Sequence, residues 1–157
     1  MDLGRTALHY AAVDADLDAV RRLLGTEDVK ARDNHDWTPL HFAAQAGAPE
    51  LVALLLDAGA EIDAVTDKGM PEIYWAIMFS GADPIATVRL LRARGADPTK
   101  ATMKSYFGPR SPLDTVKEIM GRPASKHDLA SDLRRRTGTA ETGRWANMSA
   151  KLLSEFR

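Results

Sequence analysis

Thr38-Pro39-Leu40-His41-Phe42-Ala43-Ala44 is the stretch on which the fold turns. It recurs 32 residues upstream as Thr6-Ala7-Leu8-His9-Tyr10-Ala11-Ala12, and looser versions follow at Pro71-Glu72-Ile73-Tyr74-Trp75-Ala76 and Ser111-Pro112-Leu113-Asp114. A pattern that returns at a fixed period marks a supersecondary unit that buries its apolar side only by stacking on its neighbours. Within the unit, Thr6 and Thr38 suit a helix N-cap, and Pro39 suits the first helical position, where a missing N–H costs nothing. Leu8, Ala11 and Ala12 then share one helical face, and the small alanines let helices approach closely. The expectation is one buried row running through Leu8, Leu40, Ile73 and Leu113.

A T-P-L-H-x-A core at a spacing near 33 residues is the ankyrin signature, and over residues 2–136 the chain resembles an ankyrin-repeat protein. The resemblance implies an all-α solenoid of about four helix–turn–helix repeats with hairpin fingers, placed at about 2–33, 34–65, 66–98 and 99–136. Residues 137–157 follow as a linker and a C-terminal amphipathic helix.

In the first repeat Asp16 caps a second helix whose apolar stripe is Leu17, Val20, Leu23 and Leu24, and Arg21 and Arg22 lie on its outside. The second repeat is the cleanest copy, with Gly59 as a left-handed helix stop. In the third, Pro71 replaces the capping Thr, and about three extra residues fall in the turn Ser80-Gly81-Ala82-Asp83-Pro84. Asp83 and Pro84 restart its second helix, which buries Val88, Leu90 and Leu91. The fourth has a stretched finger holding Tyr106-Phe107-Gly108-Pro109-Arg110, then a helix with Val116, Ile119 and Met120. A capping box at Ser125 and Asp128 opens the last repeat helix, with Leu129 and Leu133 inward and Arg134-Arg135-Arg136 placed to favour the macrodipole. Trp145, Met148, Leu152 and Phe156 form a stripe that either caps the fourth repeat or docks on a partner or a second copy.

The chain has 157 residues, 45% of them hydrophobic and 27% charged, enough for a real core. It has no apolar run of membrane-spanning length and no signal-peptide shape at Met1-Asp2-Leu3-Gly4-Arg5, so a cytoplasmic protein without membrane contact is expected. With no cysteine there is no disulfide and no thiolate chemistry. Net charge is −1, yet residues 1–99 hold 16 acidic and 9 basic side chains, against 6 acidic and 12 basic in residues 100–157. That asymmetry either steers a charged partner or is drift in composition.

Catalytic and metal motifs are missing. Asp14, Asp16 and Asp18 lack the glycine and distal glutamate of a calcium loop and read as a capping turn. His9 and His41 belong to the repeat and suit structural hydrogen bonds, and His9, His35, His41 and His127 show no zinc spacing. There is no phosphate loop, nucleophile elbow or dinucleotide fingerprint. The reading is a non-enzyme with no cofactor, no metal and no nucleic-acid partner.

The resemblance further implies a concave face, made by finger tips and first helices, that holds a protein. Its positions here are Leu3, Arg5, Val13 and Asp14; Asn34, His35, Trp37, Gln45 and Ala46; Asp67, Lys68, Met70, Met78 and Phe79; and Phe107, Gly108 and Arg110. Trp37 sits just before the capping Thr, in the slot held by Arg5, Met70 and Arg110 in the sister repeats. It is expected to be an interface anchor, or an exposed indole lying over a neighbouring finger. Trp75, in the slot of Tyr10 and Phe42, is expected inside. The chain also looks like some small bacterial immunity proteins, which occlude a toxin's active site; the acidic repeats would suit a basic nuclease toxin. A monomer, a partner-bound form and a homodimer through the C-terminal helix all remain open.

Overall fold

The computed structural model describes residues 3–78 and 81–121, with the backbone alone at 119–121, together with Lys151, Ser154 and Phe156. Seven helices alternate along the described chain: α1 (Ala7–Val13), α2 (Leu17–Leu23), α3 (Pro39–Ala46), α4 (Pro49–Asp57), α5 (Glu72–Met78), α6 (Pro84–Ala93) and α7 (Pro112–Gly121). They form two layers. α3 packs between α1 and α5, and α7 follows on α5; α4 packs between α2 and α6. Each first helix also packs on its own second helix in the first three repeats. The described residues hold no strand, only isolated bridges at Val65 with Pro71 and Met103 with Arg110. The Ser125–Asp128 box, Leu129, Leu133, the three arginines and most of the C-terminal stripe lie outside the described residues. Phe156 is described: it is half-buried against the core, beneath the Arg92 guanidinium.

Caps act as the repeat motif suggests, with a twist. Thr6 and Thr38 head α1 and α3 in capping boxes whose third helical residue is a histidine. The cap N–H donates to Nδ1 of His9 at 3.1 Å and of His41 at 3.0 Å. Because Nδ1 accepts, the proton sits on Nε2, and in His9 it donates to the Trp37 carbonyl at 3.0 Å. The histidine therefore ties its own helix start to the next finger. In the fourth repeat Asp114 takes the first half of this task, accepting the Ser111 N–H at 2.9 Å and its hydroxyl at 2.7 Å. Asp16 and Asp83 cap α2 and α6 as expected, accepting from Ala19 and Ala86.

The buried row runs through Leu8, Leu40 and Ile73, none more than 1% exposed. Leu113 departs from the expectation and is only half-buried, at the last described helix, whose main packing is on α5. The extra residues of the third repeat have a clear use. Ala82 and Asp83 donate backbone N–H bonds of 3.0 and 2.8 Å to the carbonyls of Ala46 and Gly47, which would otherwise end α3 unpaired. Gly81 makes that approach possible, since a Cβ there would lie 2.1 Å from the Ala46 oxygen.

Glu72 is the unexpected core residue. It occupies the position of Pro39 and Ala7, is fully buried, and accepts the Asp63 N–H at 3.0 Å. Asp63, itself in a left-handed conformation, accepts from Asp97 N–H and from Lys100 Nζ. Burial pushes the Glu72 carboxyl up to about 7, against the pull of the Asp63 N–H. Burial likewise lowers His41 to about 4; its Nε2 looks toward the Ala64 and Met70 carbonyls without closing a well-aligned bond.

Two measurements check this core. Leu40→Ala should cost about 2–5 kcal/mol in chemical denaturation, the range for deleting a fully packed leucine. Glu72 has a folded pKa above its unfolded one, so its stabilising contribution is complete below 4.5 and is lost as pH rises through about 7. His41, depressed from 6.5 to about 4, works oppositely and destabilises as pH falls. Glu72→Gln isolates the first effect. Relative to the variant, the wild-type protein should lose on the order of 3 kcal/mol between acid and mildly alkaline pH, read from melts followed by circular dichroism.

Candidate functional site

The fingers are built alike. Asp33 and Trp37 close the second by an N–H to carbonyl bond of 2.9 Å, Thr66 and Met70 close the third at 3.1 Å, and Met103 and Arg110 close the longer fourth from both sides at 3.0 Å. A single backbone bond then joins each finger to the next: Asn34 N–H to Leu3 oxygen, Asp67 to His35, Lys104 to Lys68, all between 2.9 and 3.0 Å. Finger tips expected to form one face are thus physically linked. Asn34, His35, Asp67 and Lys68 are exposed along it, and His35 Nδ1 lies 3.3 Å from Asp67 Oδ2.

Asp33 is a node that the sequence reading missed. Its Oδ1 accepts the N–H groups of His35 and Trp37, both at 2.9 Å, and its Oδ2 accepts Arg5 Nε at 3.1 Å. Burial works to raise this carboxyl, but the two N–H groups and the arginine outweigh it and hold it below the ordinary value. A short oxygen-bearing side chain that opens the second and third fingers, Asp33 matched by Thr66, whose hydroxyl accepts the Met70 N–H at 3.3 Å, was the available signal.

Trp37 does not stand free. The indole is half-buried, stacked on Phe42 at 4.7 Å and tilted over Trp75 at 4.3 Å, with His41 at 5.8 Å. Tyr74 meets Trp75 edge-on at 5.2 Å. The Arg5 guanidinium lies 4.6 Å above the other region of this floor, the Phe42 ring. A rule emerges from the contacts: the residue just before one helix cap covers the aromatic of the following repeat. Arginine and tryptophan both serve because both are flat and stack on a ring. Arg5, one of the two sister-slot arginines that argued against a packing role for Trp37, fills that same role, while Arg110 pairs with Glu118. Phe42 is covered and 5% exposed, while Tyr10, with no such cover among the described residues, is 52% exposed. Trp75 is half-buried, not interior.

The remaining expected positions scatter. Arg5, Gln45, Ala46, Met70 and Met78 are partly covered, and Met78 packs on the core. Asp14 is exposed as the C-cap of α1, and Val13 beside it is exposed. Phe107 is 91% exposed, and Arg110 is paired with Glu118. Phe79 lies outside the described residues. Asp18 pairs with Arg21 and Asp16 caps a helix, so the Asp14–Asp18 run is a turn. Among the described residues no three His, Asp or Glu side chains gather as a metal site, and no helix is long and apolar enough to cross a membrane.

The packing of Trp37 yields a test. Trp37→Ala should lower the thermal midpoint and cost about 2–4 kcal/mol. Trp37→Arg, which can stack as Arg5 does, should recover much of that loss in the same melt. Equal losses would refute the stacking account.

Comparison with known proteins agrees with this architecture. Residues 1–66 match the family model described as ankyrin repeats in three copies. The chain is 32% identical over 154 residues, 97% of its length, to human BCL-6 corepressor-like protein 1, of which it spans 8%. It is 39% identical over 67 residues, 42% of its length, to human protein phosphatase 1 regulatory subunit 27, spanning 44% of that protein. It is 36% identical over 94 residues, 58% of its length, to human neurogenic locus notch homolog protein 2, spanning 4% of it. The chain therefore covers less than half of each of these relatives. By motif, by helix pairing and by these matches, it carries ankyrin repeats.

Proposed function

We propose that the chain is a protein-binding module, without catalytic chemistry of its own, that holds one protein partner on the face formed by its fingers and first helices. The observation that carries this reading is the linked row of exposed finger tips, Asn34, His35, Asp67 and Lys68, standing over a stacked floor of Arg5, Trp37, Phe42 and Trp75. A rigid aromatic floor bordered by charge suits recognition, because its side chains are already ordered before a partner arrives. Ankyrin repeats mediate protein–protein interaction, and one relative is named as a regulatory subunit of a phosphatase. A cytoplasmic setting and the repeat limits given above belong to the same proposal.

The immunity reading rests on the charge asymmetry and an analogy. It gains no support from the relatives named above, which are human proteins. We likewise propose that the C-terminal stripe docks, as a cap on the fourth repeat or as a dimer contact.

The test is a pull-down with the full chain and identification of the partner by mass spectrometry, followed by calorimetry on purified components. His35→Ala with Met70→Ala should weaken binding by roughly tenfold or more. Arg21→Glu with Arg22→Glu, on the outer face of α2, should leave it unchanged. Loss confined to the outer-face variant would overturn the proposal.

A further inference from the structure

We propose that the turn Ser105–Gly108 is a preformed two-ring anchor that enters an apolar pocket rimmed by carboxylates on a protein partner. The inference rests on the protein-binding reading above and deepens it at the fourth finger, which the Lys104–Lys68 backbone bond joins to the finger-tip row.

The turn is closed twice, by Gly108 N–H to the Ser105 carbonyl at 3.2 Å and by the Ser105 hydroxyl to the Gly108 carbonyl at 2.6 Å. Tyr106 and Phe107 occupy its two central positions, 97% and 91% exposed, with their rings edge-to-face at 5.3 Å. Turn tips ordinarily carry Gly, Pro, Asn, Asp or Ser, each for a backbone reason. Here the only left-handed requirement falls on Gly108, with φ of 107°. Two aromatics at the tip therefore serve no backbone need, and they bury almost nothing within the chain.

The turn is also held stiffly. Lys104 N–H donates to the Lys68 carbonyl at 3.0 Å, Thr102 Oγ1 to the Gly69 carbonyl at 2.8 Å and Lys104 Nζ to the Asp67 carbonyl at 2.8 Å. Little backbone freedom remains to be lost on binding.

Charge names the partner's chemistry. Residues 98–113 contain Lys100, Lys104 and Arg110 and no acid. Lys100 is paired with Asp63 and Arg110 with Glu118. Lys104 meets only a carbonyl, and Lys68 is exposed with no carboxylate partner among the described residues. Lys104 precedes the turn and Lys68 is joined to it by a backbone bond, so the two cations call for carboxylates opposite. An anionic membrane is the weaker fit, because two rings on one turn, with one lysine before it and one on the third finger, offer a small apolar footprint.

The experiment pans a random-peptide display library on the full chain, then measures the selected peptides on variants. Selected peptides should place Asp or Glu beside apolar residues, weaken as salt rises, and bind Tyr106→Ser/Phe107→Ser about tenfold or more weakly. Lys104→Glu should weaken them as well, while the double variant melts at the wild-type temperature. The proposal is overturned if the peptides lack acidic residues, if they bind the double variant as tightly as wild type, or if that variant melts early and so shows a packing role. Co-sedimentation with phosphatidylserine vesicles that depends on both rings would assign the turn to a membrane instead and overturn it too. Peptides lost with His35→Ala/Met70→Ala but kept by the turn variant would refute this site and leave the floor's role standing. Enrichment of no peptide at all would count against both.

Discussion

A helix that starts beside another helix must pair the N–H of its cap residue, and the way this chain does so organises most of its structure. In the first two repeats the acceptor is a histidine ring, which has a second nitrogen to use. His9 spends that second nitrogen on the carbonyl of Trp37, so one side chain fixes a helix start and the spacing to the next finger. Asp114 offers only the first half of the arrangement. In the third repeat the cap is Pro71, which has no N–H to satisfy, and Tyr74 can then stand where the histidine stood. The loss of one donor frees one acceptor position. The replacement is thus coherent and not a decayed copy of the motif.

Giving up the histidine removes a link between neighbours, and other contacts take over around the third repeat. Glu72 reaches back to the Asp63 N–H, the Asp63 carboxylate reaches forward to Asp97 and Lys100, and the inserted turn bonds to the end of α3. A buried carboxyl costs desolvation, so this joint answers to pH in a way that the histidine joints do not share. His41 is buried among the same elements and titrates in the opposite sense. The two titration windows overlap in the acid range, from about 4 to about 7, and there the two groups partly cancel within the middle of the stack.

Much of this was legible in the sequence, and the misses have physical causes. Period and caps are local properties, so Thr6, Asp16, Thr38 and Asp83 were placed correctly, as were Leu8, Leu40 and Ile73. The exposure of Trp37 was misjudged because its neighbour in space, Trp75, sits 38 positions away and because arginine in the sister slots looked like evidence of exposure. A chemical alphabet of polar and apolar hides the fact that guanidinium and indole stack alike. Glu72 was passed over since a carboxylate next to Pro71 reads as a solvated first-turn acid. Its partner is a backbone N–H, which no pattern of side chains announces. Tyr106 was visible in the sequence but carried no weight until its turn geometry showed both rings in solvent.

Because each repeat touches only its neighbours, the floor that would receive a partner is also the seam between repeats. Arg5 and Phe42 belong to different repeats, as do Trp37 and Trp75. A ligand resting on these rings would contact both sides of each seam at once. Binding would then raise the apparent stability of the stack by mass action, and loosening the stack would lower affinity by the same linkage. The exposed fourth finger behaves differently, since its rings touch each other and little else. Changes there can alter recognition without altering the fold. On the proposed reading, the chain would have one surface whose binding and stability are coupled and another where they are separable. That division follows from where each aromatic finds its cover.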